Sequence, residues 1–238
     1  MKWALIIGCI ALIGVQYPLV EANAAPRTYS YTVTHPLYGV IGTYDRTIDD
    51  TGGSTRAESR LVITVKILGF VVHRETADQT EVWRDKRLMS FHSVTTTNGK
   101  PLSVRGEALE NRFMVTSPSG TMGAPADVAA SDPLSLNQMG SEVVVSMKTG
   151  KISQVEVTGG EADTVTRLGI SKSARHFSVS TLTQPNKWEA WFDQQGVPIK
   201  FSSLESGGRV DFTLMPPQAG DVSNQLLPVR AQLAPSTP

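Results

Sequence analysis

The chain has 238 residues, 22 basic and 22 acidic side chains, and one cysteine. That length suits one all-β domain or two small ones, and it is long enough to bury a core without covalent staples. Balanced charge with no long run of one sign argues against nucleic acid and against an anionic membrane surface as partners.

The chain opens with Met1-Lys2, an apolar run from Ala4 to Val15, and the small-x-small sequence Ala22-Asn23-Ala24. This order of basic, apolar and small residues reads as a cleavable secretory signal peptide over residues 1–24. The apolar run is too short to span a bilayer comfortably, so no transmembrane anchor is expected. Cys9 would leave with the signal, so the exported protein would have no disulfide, thiol nucleophile or cysteine metal ligand. The expected compartment is the periplasm, with release to the medium as the alternative.

Residues 25–215 read as one β domain. Tyr29, Tyr31, Val33 and His35 alternate with polar residues, and Pro36 ends that strand. Gly39 to Tyr44 begins a second strand, and Asp49 to Gly53 is a turn. Leu61, Ile63, Val65 and Ile67 alternate along a long strand that Gly69 is expected to kink before Phe70-Val71-Val72. Trp83-Arg84-Asp85 leads into a hairpin, and Asn98-Gly99 is a strong hairpin signal. Leu102 to Val104 and Phe113 to Val115 give further strands.

The segment from Ser117 to Ala130, rich in Gly, Pro, Ala and Ser, reads as a loop, either a flap over a pocket or a tolerated insertion. Ser131-Asp132-Pro133 resembles a helix start, so one short helix is expected over Leu134 to Met139, capped by Gly140. Val143 to Val145, Ile152 to Val157 and Phe177 to Val179 continue the strand pattern. Lys187 to Phe201 reads as strand, Gln194-Gln195-Gly196 turn, strand, with aromatic residues on both faces of its first arm. Val210, Phe212 and Leu214 form the last strand. Residues 216–238 hold five prolines and no periodicity, and read as a flexible tail. The whole pattern predicts an all-β fold: a single strongly curved antiparallel sheet or half-barrel with one short helix.

Signatures of catalysis are missing. The sequence has no G-x-S-x-G elbow, S-x-x-K pair, H-E-x-x-H helix or phosphate loop. His35, His73, His92 and His176 are far apart in sequence, so no metal and no cofactor are expected. Asp85 and Asp193 could be paired glycosidase carboxylates, yet their place before turns fits backbone stabilisation better. Tyr31, Tyr44, Trp83, Trp188, Trp191 and Phe201 are the candidate ligand-binding residues. A strand apolar on both faces needs a cover on each, and a sheet curved around an apolar ligand would supply one.

The combination of signal peptide, Tyr-rich first strand, Gly39-Val40-Ile41-Gly42-Thr43, Glu81-Val82-Trp83-Arg84-Asp85 and Trp188-x-x-Trp191-Phe192-Asp193 resembles a family of bacterial exported proteins of unknown function. That family is similar in style to the curved-sheet, Lol-type proteins of periplasmic lipoprotein trafficking. The resemblance implies a strongly bent antiparallel sheet and, by analogy of fold alone, carriage of something lipid-like. The resulting expectation is non-enzymatic binding of an apolar or lipid-like ligand, with no protein partner specified. The alternatives are an envelope hydrolase using strand carboxylates, or an interaction scaffold that uses exposed strand edges.

Overall fold

Period-two patterning becomes strand along nearly the whole described chain. The computed structural model describes residues 25–131, 140–167, 169–182, 187–205 and 208–216. The first eight strands are β1 (Arg27–His35), β2 (Gly39–Thr51), β3 (Ser54–Ile67), β4 (Phe70–Arg84), β5 (Arg87–Thr97), β6 (Lys100–Ala108), β7 (Arg112–Ser117) and β8 (Gly120–Pro125). The rest are β9 (Ala129–Ala130), β10 (Val143–Val145), β11 (Ile152–Arg167), β12 (Ile170–Thr181), β13 (Lys187–Phe192), β14 (Pro198–Glu205) and β15 (Gly208–Leu214).

All fifteen join one sheet in the order β8-β7-β6-β5-β4-β3-β2-β1-β15-β14-β13-β12-β11-β10-β9. Neighbours are antiparallel apart from the parallel pair β9 and β10. The first and last strands pair with each other, Val33 opposite Phe212, so they lie inside the sheet, and β8 and β9 form its edges. The sheet rolls until those edges approach. Ala129 and Ala130 of β9 share one buried cluster with Leu88, Phe91 and Val104 from the other half. This is an unclosed barrel, and the expected strongly curved all-β sheet is observed. Register shifts at Val33/Thr34, Val65/Lys66, Val82/Trp83, Gly159/Glu161 and Trp191/Phe192 supply the local bends such rolling needs.

The meander gives the barrel two unlike ends. One, the tip end, carries the turns at 36–38, 68–69, 98–99, 118–119 and 147–150. The other, the base end, carries the turns at 52–53, 85–86, 109–111, 126–128 and 193–197, together with Arg27 and Leu214.

Two clusters fill the interior. One joins Tyr31, Val33, Ile41, Tyr44, Phe201 and Phe212. The larger joins strands β4 to β8 with β9 to β12, and half-buried Trp188 packs against both. Inside the larger cluster Phe91 and Phe113 stack with centroids 5.9 Å apart. Gly106 makes that approach possible, because a Cβ there would sit 2.3 Å from a Cε1 atom of each ring.

Several local expectations are revised. Gly69 does not kink one long strand. Leu68 and Gly69, at φ 49° and 84°, form the tight turn that separates β3 from β4. Positive φ at both central positions matches the twist of a two-residue hairpin, and the sequence concealed it because Leu is rarely found there. The segment from Ser117 to Ala130 is not a loop, since β8 and β9 lie within it. Its small residues suit an edge strand, and Ala124 is buried against the core. The expected helix at Leu134 to Met139, the signal peptide, and the tail beyond Pro216 lie outside the described residues.

Candidate functional site

The inward face of strands β2 to β5 carries a polar row through an apolar interior. Arg46 pairs with Ser59, Ser59 with Gln79 and Gln79 with Ser93, so all four side chains share one face. Arg46 and Glu81 are both buried, and Arg46 Nη1 lies 3.3 Å from Glu81 Oε1 and 3.2 Å from Ser59 Oγ. Trp83 Nε1 donates to Glu81 Oε2 at 2.9 Å. Ser93 Oγ, Thr95 Oγ1 and Trp188 Nε1 are buried without a hydrogen-bond partner among the described residues. Buried polar groups of this kind are normally paired by protein or by a bound molecule.

The six aromatic residues singled out from the sequence fall into three environments. Tyr31, Tyr44 and Phe201 sit together in the smaller cluster, and Tyr31 Oη donates to the Pro198 carbonyl at 2.9 Å. Trp188 packs on that cluster and on the larger one, which holds Trp83. Trp191 stands apart with Ala174 and Ile199. The His176 ring stacks on it at 4.4 Å, Lys200 Nζ lies 4.7 Å from its centroid, and its Nε1 donates to Asp163 Oδ2 at 2.7 Å. That indole N–H, helped by the Thr164 amide and by His176 and Lys200, holds the Asp163 carboxyl below the ordinary carboxylate range against a smaller opposing effect of desolvation.

The candidate acids and bases are not gathered. Asp193 accepts the backbone N–H groups of Gln195 and Val197 at 3.0 and 2.8 Å, which is the turn role expected of it. Asp85 lies in the β4–β5 turn at φ 50°. His35 stacks on Tyr38, His92 lies 3.3 Å from Ser103 Oγ, and His176 stacks on Trp191. His73 alone approaches a buried carboxylate, with Nε2 3.8 Å from Glu75 Oε2. Glu75 is mainly held by Lys148 Nζ, at 2.9 and 2.8 Å from its two oxygens, and by Thr97 Oγ1 at 3.2 Å. This ties the β10–β11 turn to the opposite half of the sheet. Among the described residues no group of three or more His, Cys, Asp or Glu could hold a metal ion.

The feature that sequence reasoning missed is a concavity of about 680 Å³ beside β10 and β11, where the barrel stays open. Its floor includes Val143, Val155 and Val157, continuous with the larger core cluster, and Leu182 flanks it. Ser141, Glu142, Gln154 and Glu156 complete its lining, so polar and apolar side chains share it. Period-two alternation signals that these valines face inward, but it cannot signal that the sheet ends beside them.

A family model described as a domain of unknown function, DUF6134, matches residues 39–215, and the chain belongs to that family. No curated protein matches the sequence. Among solved structures, the chain is similar to a β-barrel-like protein of the domain of unknown function DUF1849 from Brucella abortus. The TM-score is 0.55 at 10% identity, over 80% of this chain and 95% of that one, and the likeness is one of fold. A DUF1089 family protein from Pseudomonas aeruginosa matches at a TM-score of 0.35 and 13% identity, over 66% of this chain and 87% of that one.

Proposed function

We propose that this DUF6134 protein is exported and binds an apolar, lipid-like molecule without catalysis, where the curved sheet opens beside β10 and β11. One observation carries the reading: the concavity of about 680 Å³ whose valine floor continues into the core. Its size lies within the range of small-molecule sites, and its valines and Leu182 would meet an apolar chain while Glu142, Gln154 and Glu156 face a polar head. The export part of the reading rests on residues 1–24 of the sequence.

Envelope hydrolysis is the weaker reading, because Asp193 serves its own turn and the histidines are dispersed. Interaction by strand addition is the other reading. The terminal strands of the sheet are short, six residues ending at Pro125 and two residues, but β11 from Glu156 to Arg167 has β12 as its one strand partner among the described residues and forms a longer edge.

The test is native mass spectrometry of the protein purified after export, followed by organic extraction, and then titration with a monomeric fluorescent fatty acid. A stoichiometric apolar adduct is expected, and Val157→Trp, which fills the floor, should weaken fatty-acid binding. An adduct-free mass together with no fatty-acid binding would overturn the reading.

A further inference from the structure

Overall neutrality hides a local excess of cations at one end of the barrel. At the tip end, residues 35–42, 62–74, 97–101, 117–120 and 146–151 contain Lys66, Arg74, Lys100, Lys148 and Lys151 and no carboxylate, and the adjoining ends of β14 and β15 add Glu205 and Arg209. The next acid, Glu75, is buried and held by Lys148 and Thr97. The base-end turns and their flanks are balanced, with Asp49, Asp50, Asp85, Glu110, Asp127 and Asp193 against Arg27, Arg56, Arg84, Lys86, Arg87 and Arg112.

Exposed apolar residues show the same polarity. Among the described residues, eight of the thirteen large exposed hydrophobic residues come from the β1–β2 and β3–β4 turns and the strand ends beside them, among them Leu37, Val40, Ile67, Leu68, Phe70 and Val72. Leu68 is 92% exposed and Phe70 76%. The last β2–β3 pair is Gly42–Ile63 and the last β4–β5 pair is Glu75–Thr97. Beyond them Thr64 to His73 pairs within its own hairpin while Arg74 bonds Asn98 at the root, so a two-stranded arm projects about 13 Å at ordinary strand rise. A concavity of about 420 Å³ lies at its root, lined by Tyr38, Val40, Ile41 and Thr64 with the cations Lys66 and Arg74.

The neighbouring hairpin provides an internal comparison. The β5–β6 turn is Asn98–Gly99 at φ 49° and 81°, matching Leu68–Gly69 at 49° and 84°. Asn is favoured at that first position and a bulky apolar residue is strained there. The β3–β4 arm therefore keeps a large apolar side chain at a strained, almost fully exposed tip. Exposed apolar patches of this kind mark interaction surfaces.

We infer that the β3–β4 arm and the β1–β2 turn form a docking surface for an anionic lipid bilayer. Leu68, Phe70 and Leu37 enter the acyl boundary. Lys66 and Arg74 meet phosphate headgroups beside the concavity, and Lys100 adds to the field. Lys66, Arg74, Lys100 and Lys151 have no carboxylate in their own turns, and such cations are complementary to an anionic surface. The inference stands without the ligand reading, because it uses different residues on different strands of the sheet.

Vesicle flotation tests it, with the protein purified after export and vesicles of phosphatidylcholine with or without phosphatidylglycerol. The native protein should float with the anionic vesicles, less so as salt rises, and not with phosphatidylcholine alone. Lys66→Gln combined with Arg74→Gln should cost roughly thirtyfold in partitioning, at about fivefold per cation. Leu68→Asn combined with Phe70→Ser should abolish flotation while melting no lower than the native protein. Any N-terminal contribution is common to all forms, so the differences read the tip. Failure of the native protein to float, equal flotation on both compositions, or tip variants that float like the native protein would overturn the inference. Vesicle-free self-association that Leu68→Asn with Phe70→Ser abolishes would overturn it in favour of a second copy of the chain. Val157→Trp should float normally and the tip variants should bind fatty acid normally, so each reading can fail without the other.

Discussion

Replacing Glu81 by Gln changes one charge inside the sheet and little else. The carboxamide keeps the shape, and its carbonyl can still accept the Trp83 indole N–H that Glu81 Oε2 accepts at 2.9 Å. What it removes is the negative charge 3.3 Å from Arg46 Nη1, in a pair whose side chains are 4% and 1% exposed. Removing one partner of a buried pair costs about 3–5 kcal/mol, because a desolvated charge loses its counterion. Against a total stability of about 5–15 kcal/mol for a domain, that is a large share. The second variant combines Glu81→Gln with Arg46→Met. It leaves no buried cation, and its residual cost is that of the Ser59 hydroxyl losing a partner, about 1–3 kcal/mol. The double variant should therefore be more stable than Glu81→Gln alone. Guanidinium unfolding followed by tryptophan fluorescence measures both, provided the denaturant slope is unchanged. A Glu81→Gln loss below about 1 kcal/mol, or a double variant less stable than the single, would refute an energetically coupled pair.

Three further outcomes follow from the same geometry. Gly106→Ala places a methyl 2.3 Å from both Phe91 and Phe113 and should lower stability by about 1–3 kcal/mol in a thermal melt; an unchanged melt would mean the rings part freely. Leu68→Asn relieves a strained left-handed residue and should raise stability by up to about 1 kcal/mol, so a destabilised variant would show that the exposed leucine packs on something. Asp163 has a depressed folded pKa, so its contribution is present above the ordinary carboxylate range and lost as pH falls through the depressed value. Asp163→Asn should flatten that acid limb of melting temperature against pH, and an unaltered slope would refute it.

What could be read from the sequence was local and periodic. The Lys187–Phe201 hairpin and the Asn98–Gly99 turn follow from period-two alternation joined by residues that tolerate positive φ, and both are observed. Asp193 was readable as a turn residue for the same reason. The Leu68–Gly69 turn was not, because its first residue is one that such turns disfavour. The edge strand β8 was hidden because Gly, Ala and Pro score as loop, while an edge strand needs hydrogen bonds on one side only. The pairing of β1 with β15 has no local signal, since nothing in Val33 announces Phe212. The candidate site was hard to read for a related reason: aromatic residues mark the packed interior, whereas the concavity is bounded by valines whose distinction is their position beside an edge.

The proposed docking surface departs from what the neutrality of the chain suggests about partners, and the topology shows how the two can coexist. A net charge of zero weighs every residue equally, but an up-and-down meander sorts alternate turns to opposite ends. Turns one hairpin apart in sequence, such as 52–53 with Asp49 and Asp50 and 68–69 with Lys66 and Arg74, therefore lie at opposite ends of the barrel. Averaging over the sequence hides the tip's local excess of cations. The β1–β15 pairing adds a consequence: the chain enters the sheet at Arg27 and leaves it at Leu214 on the same base end, where Met215 N still bonds the Ser30 carbonyl. A bilayer met by the tip end would therefore leave both points of chain entry facing away from the lipid, and a label attached at either should not weaken flotation. A label at residue 68 should. That contrast, read in one assay on one protein, separates docking by the tip from adhesion by any other face.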